Sequence, residues 1–418
     1  MSDSTNKAST KGAAATVAIV LVTSLFFVWG LAMNLVSALN APLANYLELT
    51  TTQTSLMQVA YYGAYFVMAI PAGAIAKKYG YKGGVIAGLA LFVIGSIITV
   101  PATNAASFGL FLVSTFVVAA GATTLEANCN PYITKLGDEK HESMRLNLAQ
   151  SFNGVGSIVG PLIMAQILST TVAVGQPGFA EAKAAFLGST RGIYIVIAIA
   201  LAIMIAVFVF VKLPTPPSDI EEAGSEKAAK GGALKKPYFK LGVLAEFFYV
   251  GIQTVGFSLF ATYATKVAGL EMSLATGLVS ALSLLFTIGR FGSTPLLAKK
   301  DPGKLLGIYM SGAAICFFLV FLNLGVVSVA AFVIAYLFMS IGYPTIFSLS
   351  LRGMSGNETK TGSSIITMSI VGGAIIPVIV SAIGDAFGLP IAMLVTVPCL
   401  AYCAWYGFAG SKIGFERE

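Results

Sequence analysis

The sequence predicts an all-α membrane protein: twelve transmembrane helices in two pseudo-symmetric six-helix bundles. Three observations predict it. Hydrophobic residues make up 56% of the 418 residues and charged residues only 10%. Soluble proteins carry roughly 25% charged residues, so here lipid must replace water over much of the surface. The apolar runs, such as 85–100 and 193–211, are unbroken. A barrel strand would instead alternate apolar and polar over about ten residues, whereas a helix crosses the hydrocarbon core in about 20. Finally, one proline-rich, charged stretch, 213–238, falls in the middle of the chain.

The spans are expected at 15–39, 54–76, 83–100, 107–134, 144–170, 191–212, 239–265, 272–297, 303–322, 326–349, 361–385 and 389–410. The 213–238 stretch reads as a solvated cytoplasmic linker. It separates a bundle over 15–212 from one over 239–410, flanked by tails at 1–14 and 411–418. The first apolar stretch is long enough to span, so it reads as a true first helix and not as a cleaved signal.

Lys and Arg fix the expected orientation. One set of loops carries Lys7 and Lys11, Lys77, Lys78 and Lys82, Lys135, Lys140 and Arg145, the linker lysines, Lys299, Lys300 and Lys304, Arg352 and Lys360, and Lys412 and Arg417. The opposite loops carry Lys183, Arg191 and Lys266. Cations gather on the cytoplasmic side, which places both termini there in a multi-pass bacterial inner-membrane protein. The net charge of +7 then reflects orientation and not nucleic-acid binding.

The two halves echo each other. Residues 73–82 (GAIAKKYGYK) follow span 2 as 296–304 (LLAKKDPGK) follow span 8, and 121–126 (GATTLE) sit in span 4 as 342–347 (GYPTIF) sit in span 10. Matching positions in two halves mark a duplicated transporter bundle.

Chemistry concentrates in few residues. An ionisable group in lipid costs at least ~2.5 kcal/mol, so each one present needs a reason. Glu126 lies in mid-span 4 and Glu246 in span 7, with Arg290 near one end of span 8 and Asp385 near the end of span 11. Desolvation favours the neutral form of a buried carboxyl, so Glu126 can take a proton from one side and release it to the other. Gln150 and Asn153 share a face of span 5, Asn34 lies in span 1, and Gln253 in span 7. Amides both donate and accept, as a neutral polyhydroxylated substrate requires. Trp29, Tyr61, Tyr62, Tyr65 and Tyr343 add apolar faces.

The remaining features read as packing. Cys129, Cys316, Cys399 and Cys403 lie in apolar segments, and the lone His141 in a charged loop. The glycines of GGVIAGLALFVIGS, GVGSIVG and IVGGAIIP allow close helix approach. No Walker loop, nucleophile elbow or HExxH pair occurs, which argues against an enzyme or ATP-driven pump and for a secondary transporter. No cofactor and no metal is expected.

The stretches FFVWGLAMNL, IPAGAIAKKYGYKGG, LEANCNPYITKLG, RLNLAQSFNGVG, FFYVGIQT, IGRF and MSIGYPTIFSLSL run from span 1 to span 10. Together they resemble the major facilitator superfamily, and within it the bacterial L-fucose/proton symporter family. The resemblance implies two six-helix bundles around a central sugar cavity, worked by alternating access. It puts the family's proton-coupling carboxylate on Glu126, its span 5 amides on Gln150 and Asn153, its span 1 pair on Trp29 and Asn34, and its span 10 tyrosine on Tyr343. The family's span 1 aspartate falls on Ser37. That departure leaves two routes open: sodium held by Ser37 and nearby carbonyls, or Glu246 as a second protonation site.

The expected activity is therefore import of a monosaccharide, L-fucose or a related hexose such as galactose or glucose, by cation symport with the proton as the coupling ion. Trp29, Asn34, Gln150, Asn153, Gln253 and Tyr343 would bind sugar, and Glu126 and Glu246 would carry protons. Ser37, Lys77, Lys78, Arg290 and Asp385 would serve gating or structure. The chain is expected to act as a monomer. Rival readings are sodium coupling, a drug/proton antiporter, and a sugar sensor that transports nothing.

Overall fold

The computed structural model describes residues 2–167, 172, 174–216 and 232–415. Residues 217–231 of the expected linker, 416–418 of the tail, and the side chain of Ser37 lie outside the described residues. Among the described residues every regular element is helical. In chain order they are α1 (Ser2–Ala38), α2 (Asn40–Tyr46), α3 (Thr51–Asn104), α4 (Phe108–Lys135), α5 (Glu142–Ile167), α6 (Phe179–Phe210), α7 (Pro237–Lys266), α8 (Met272–Lys299), α9 (Pro302–Phe321), α10 (Val326–Met339), α11 (Gly342–Ser350), α12 (Gly356–Met368), α13 (Gly372–Phe387), α14 (Leu389–Met393) and α15 (Thr396–Phe408). Helix α1 begins at Ser2, so the stretch expected as a tail continues its backbone.

Among the described residues, ten stretches are long and apolar enough to cross a membrane. Two features reconcile ten with twelve. The stretch Leu56–Asn104 holds two spans, because Gly80 (φ 70°, ψ 177°) breaks the helix within the KKYGYK turn. That positive φ is strained for any residue with a Cβ. Helix α5 is 26 residues long but its apolar run is interrupted by Asn147, Gln150, Ser151 and Asn153.

Caps follow local chemistry. Thr50 and Gln53 form a reciprocal capping box at the start of α3. Asp301 accepts from the Lys304 N–H at 2.8 Å, with Pro302 in the first turn of α9. Lys82 donates to the carbonyls of Val209 (2.9 Å) and Val211 (3.0 Å) at the end of α6, where helix carbonyls lack partners.

Helix α6 shows how lipid replaces water. Ile195, Val196, Ile199 and Ile203 are exposed, while Tyr194, Ile197, Ala198 and Leu201 are buried. Both faces are apolar, as the bilayer core demands.

The chain folds as two compact units: residues 1–129 with 155–214, and residues 130–154 with 215–418. In the first, α3 packs on α6 and on α4. A Cβ on Gly88 would meet the Leu125 backbone nitrogen at 2.9 Å, and one on Gly121 would meet that of Phe92 at 2.6 Å. In the second, α9 packs between α10 and α15, and α13 lies against α7, where a Cβ on Gly372 would meet the Phe247 carbonyl at 2.1 Å. Of the expected close-packing glycines, Gly88, Gly95, Gly156, Gly160 and Gly372 sit at backbone contacts. All four cysteines are buried and free of disulfides.

The turn from α4 to α5 is built from charges. Lys135 and Glu142 form a buried pair at 2.8 Å. Arg145 donates to the carbonyls of Ile133 and Thr134, closing the end of α4. His141 sits in the short loop beside Asp138, with ring Nδ1 2.8 Å from the carboxylate. The imidazole holds that exposed carboxyl below the usual carboxylate range.

Candidate functional site

In the first unit the key carboxyl is Glu126, 8% exposed on α4. The α4 face at Val118, Gly121, Leu125 and Asn128 is pressed onto α3 through Gly95, Gly88 and Gly84. Glu126 is set about 100° around the helix from Leu125. Its charge reaches Tyr61 of α3 and Cys129 one turn on. Tyr61 packs edge-on against Tyr62 (5.1 Å between centroids) and lies 5.2 Å from the ring of Tyr65. These tyrosines therefore make one aromatic cluster. On α1, Trp29 is buried against Phe26, and Asn34 donates to the Gly30 carbonyl at 2.8 Å. The GVGSIVG stretch of α5 brings its backbone onto α1: a Cβ on Gly156 would meet the Leu31 nitrogen at 2.5 Å, and one on Gly160 the Asn34 Cβ at 3.0 Å.

In the second unit a buried hydrogen-bond chain joins four helices. It starts from a proline. Pro344 has no N–H, so the carbonyl of Ser340 four residues back has no helical donor, and the helix breaks between α10 and α11. Arg290 of α8 fills that vacancy through Nε at 3.1 Å, and its Nη1 donates to the Gln150 carbonyl of α5 at 2.7 Å. Its guanidinium lies over the Phe286 ring at 4.4 Å. Gln150 Nε2 donates to Asn130 Oδ1 at 3.3 Å, and Asn130 Nδ2 donates to the Tyr343 hydroxyl at 2.9 Å. Asn147 Nδ2 donates to the Arg290 carbonyl (2.8 Å) and to Thr294 Oγ1 (2.9 Å). Further along, the hydroxyls of Ser143 and Ser348 meet at 2.6 Å.

The other anticipated residues fall elsewhere. Glu246 is fully buried on α7 and its charge reaches Tyr249, Cys403 and Tyr406. Gln253, on the same helix, is half-buried, and its carbonyl accepts from the Tyr336 hydroxyl. Asn153 is half-buried on α5. Lys77, Lys78 and Asp385 are exposed. Ser37 lies in the last turn of α1, its side chain outside the described residues.

Sequence reasoning grouped Gln150 and Tyr343 as sugar ligands and set Arg290 apart as a gating or structural residue, while the structure brings all three into one network. It also passed over Asn130 and Asn147. The available signal was an amide inside an apolar span, in NCNPY and RLNLAQ.

The Major Facilitator Superfamily pattern matches residues 20–377, most of the 418. The chain belongs to the Major Facilitator Superfamily. It is 36% identical over 397 residues to a glucose/galactose transporter of Brucella abortus (biovar 1, strain 9-941), covering 94% of each chain. It is 34% identical over 396 residues to the L-fucose-proton symporter of Escherichia coli K12, covering 91% of this chain and 90% of that one. A solved structure of a Major Facilitator Superfamily transporter, FucP, in the outward conformation superposes with a TM-score of 0.87 at 32% identity, over 94% of this chain and 98% of that chain. A multi-pass superfamily transporter, and not an enzyme, accounts for the buried carboxyls and the amide network alike.

Proposed function

We propose that this chain imports a monosaccharide, L-fucose or a related hexose such as galactose or glucose, by proton symport with alternating access. The observation that carries the reading is Glu126. It is a carboxyl 8% exposed in the middle of a span, electrostatically coupled to Tyr61 of the aromatic cluster on α3. The names of the aligned relatives, which cover nine-tenths of the chain, support the same substrate class.

In this reading Glu126 takes and releases the coupling proton, with Glu246 as a second protonation site in the other sequence half. Gln150, Asn153, Asn34 and Gln253 hydrogen-bond sugar hydroxyls, while Trp29 and Tyr343 pack on the ring. Arg290 acts at the gate, and Ser37, Lys77, Lys78 and Asp385 serve structure or gating. The protein works as a monomer in the bacterial inner membrane with both termini cytoplasmic. Coupling requires that proton and sugar favour the same occluded state.

Proteoliposome uptake tests it. Labelled L-fucose, galactose and glucose are offered under an inward proton gradient, an inward sodium gradient at equal pH, or neither. Uphill accumulation driven by the proton gradient alone is expected. Accumulation driven by sodium alone would replace the proton, and absence of uptake for the whole panel would overturn the substrate class.

A further inference from the structure

We infer that Asn130 is a positioning residue that trades its hydrogen bonds with the bound sugar, so that substrate binding itself loosens the contact between segment 130–154 and the C-terminal helices. The inference rests on the sugar-binding roles proposed for Gln150 and Tyr343.

The side chain of Asn130 is fully buried, and both ends are used: Oδ1 accepts from Gln150 and Nδ2 donates to Tyr343. The two side chains proposed to hold sugar are therefore tied to each other through one amide. A sugar hydroxyl that accepts the Gln150 Nε2 proton now given to Asn130, or that donates to the Tyr343 hydroxyl oxygen in place of Asn130, competes with Asn130 for the same atoms. Asn130 is then left buried with an unmade bond, which disfavours the arrangement that buries it. The 3.3 Å contact to Gln150 is the longer of the two and the easier to displace.

Position gives the exchange its consequence. Segment 130–154 comes from the first six spans, yet it packs in one compact unit with residues 215–418. Its bonds to α8 and α11 run through Asn130, Asn147, Gln150 and Ser143. Alternating access must part these two sequence halves, so every one of those bonds breaks in each cycle. Without sugar the Asn130 bridge holds them together. With sugar the bridge is spent on ligand, and the remaining bonds hold alone. A ligand shifts such an equilibrium only by interacting differently with its two states, and the exchange at Asn130 supplies that difference.

The test reads the contact directly. Ser348→Cys puts a thiol at a site 2% exposed, bonded to Ser143, while the native cysteines are buried. Its reaction with N-ethylmaleimide is followed by mass spectrometry on the purified full-length protein, with and without L-fucose, galactose or glucose. Sugar should speed labelling in the Ser348→Cys protein. Adding Asn130→Leu should raise sugar-free labelling by about fivefold or more and abolish most of the response to sugar. It should also tighten sugar binding, because Gln150 and Tyr343 no longer have an internal competitor. Asn130→Ser, a smaller polar change, should fall between the two and stands in if the leucine variant does not fold.

Unchanged sugar-free labelling in the Asn130 variants overturns the bridge. Weaker sugar binding in Asn130→Leu overturns the exchange and makes Asn130 an ordinary sugar ligand. If no sugar binds the native protein but Asn130→Leu still raises labelling, the bridge stands and the proposed substrate class fails. A sugar that binds the native protein without changing labelling also overturns the exchange.

Discussion

Arg290 occupies a hydrogen-bonding vacancy created by Pro344. The proline cannot donate to the Ser340 carbonyl one turn back, and Arg290 Nε does so from another helix at 3.1 Å. A break in one helix thus fixes the place of a buried cation in a second, whose other arm reaches Gln150 in a third. Arg suits this better than Lys because its planar fork serves two carbonyls at once.

The dependence is measurable as a coupling. Arg290→Met should lower stability by about 2–4 kcal/mol, since two charge-assisted bonds to buried carbonyls are lost. In a Pro344→Ala background the alanine N–H can pair with Ser340, so the same change should cost about 1 kcal/mol less. Thermal melts of the two single variants and the double variant give the cycle. Additive effects would separate Arg290 from the proline break.

How much of this was legible in the sequence varies by residue. The break at Gly80 was visible, because a KKYGYK turn between two apolar runs has few other readings. The packing glycines were visible as a class, since small residues in a span have little other use. Glu126 was visible because a carboxylate in lipid demands explanation. The Asn130 bridge was not. Its partners Gln150 and Tyr343 lie 20 and 213 residues away, and no local pattern encodes a bond at that separation. The dependence of Arg290 on Pro344 was hidden for the same reason: each residue has an ordinary local reading, and only packing joins them. Helix α5 was legible as a span only from its length and place between loops, because Asn147, Gln150, Ser151 and Asn153 dilute its apolar signal.

The glycine contacts separate packing from flexibility. Gly121→Ala would place a Cβ 2.6 Å from the Phe92 backbone nitrogen, a clash no rotamer change relieves. It should cost about 1–3 kcal/mol. Gly63, on α3, has nothing within 4 Å of the same added atom. Gly63→Ala should leave stability unchanged or raise it by up to about 1 kcal/mol through better helix propensity. Melting temperatures of the two purified variants decide it. Equal effects would mean that the α3–α4 approach is looser than these contacts imply.

The Lys135–Glu142 pair predicts a pH dependence outside the spans. Burial raises the Glu142 carboxyl above the ordinary carboxylate range, and Lys135 at 2.8 Å offsets that only in part. The folded protein then binds this proton more tightly than the unfolded chain does. The contribution of Glu142 is fully present below its unfolded pKa and is lost as pH rises through the raised folded one. Glu142→Gln should flatten stability across that window. Lys135→Met, which leaves the buried carboxylate uncompensated, should destabilise by about 3–5 kcal/mol at neutral pH and by less in acid. Melts of the native and variant proteins across pH should diverge in that order, and parallel curves would remove Glu142 from the titration.

The sharpest expectation concerns Glu126. Gln has the same shape and still hydrogen-bonds, but it cannot change charge. If the proton rides on this carboxyl, Glu126→Gln should keep sugar exchange across the membrane within about tenfold, because exchange needs movement of the loaded carrier and no net proton transfer. Uphill accumulation under a proton gradient should be lost. Exchange by the native protein should vary with pH, and exchange by the variant should vary less, since the titrating group at that position is gone and, of the two proposed proton carriers, only Glu246 remains. Glu126→Asp keeps a titratable group one methylene shorter and should retain part of the accumulation. Counterflow and gradient-driven uptake in the same proteoliposomes separate these outcomes. A Glu126→Gln protein that still accumulates sugar under a proton gradient would move the coupling to another carboxyl, with Glu246, fully buried on α7, next to be tested.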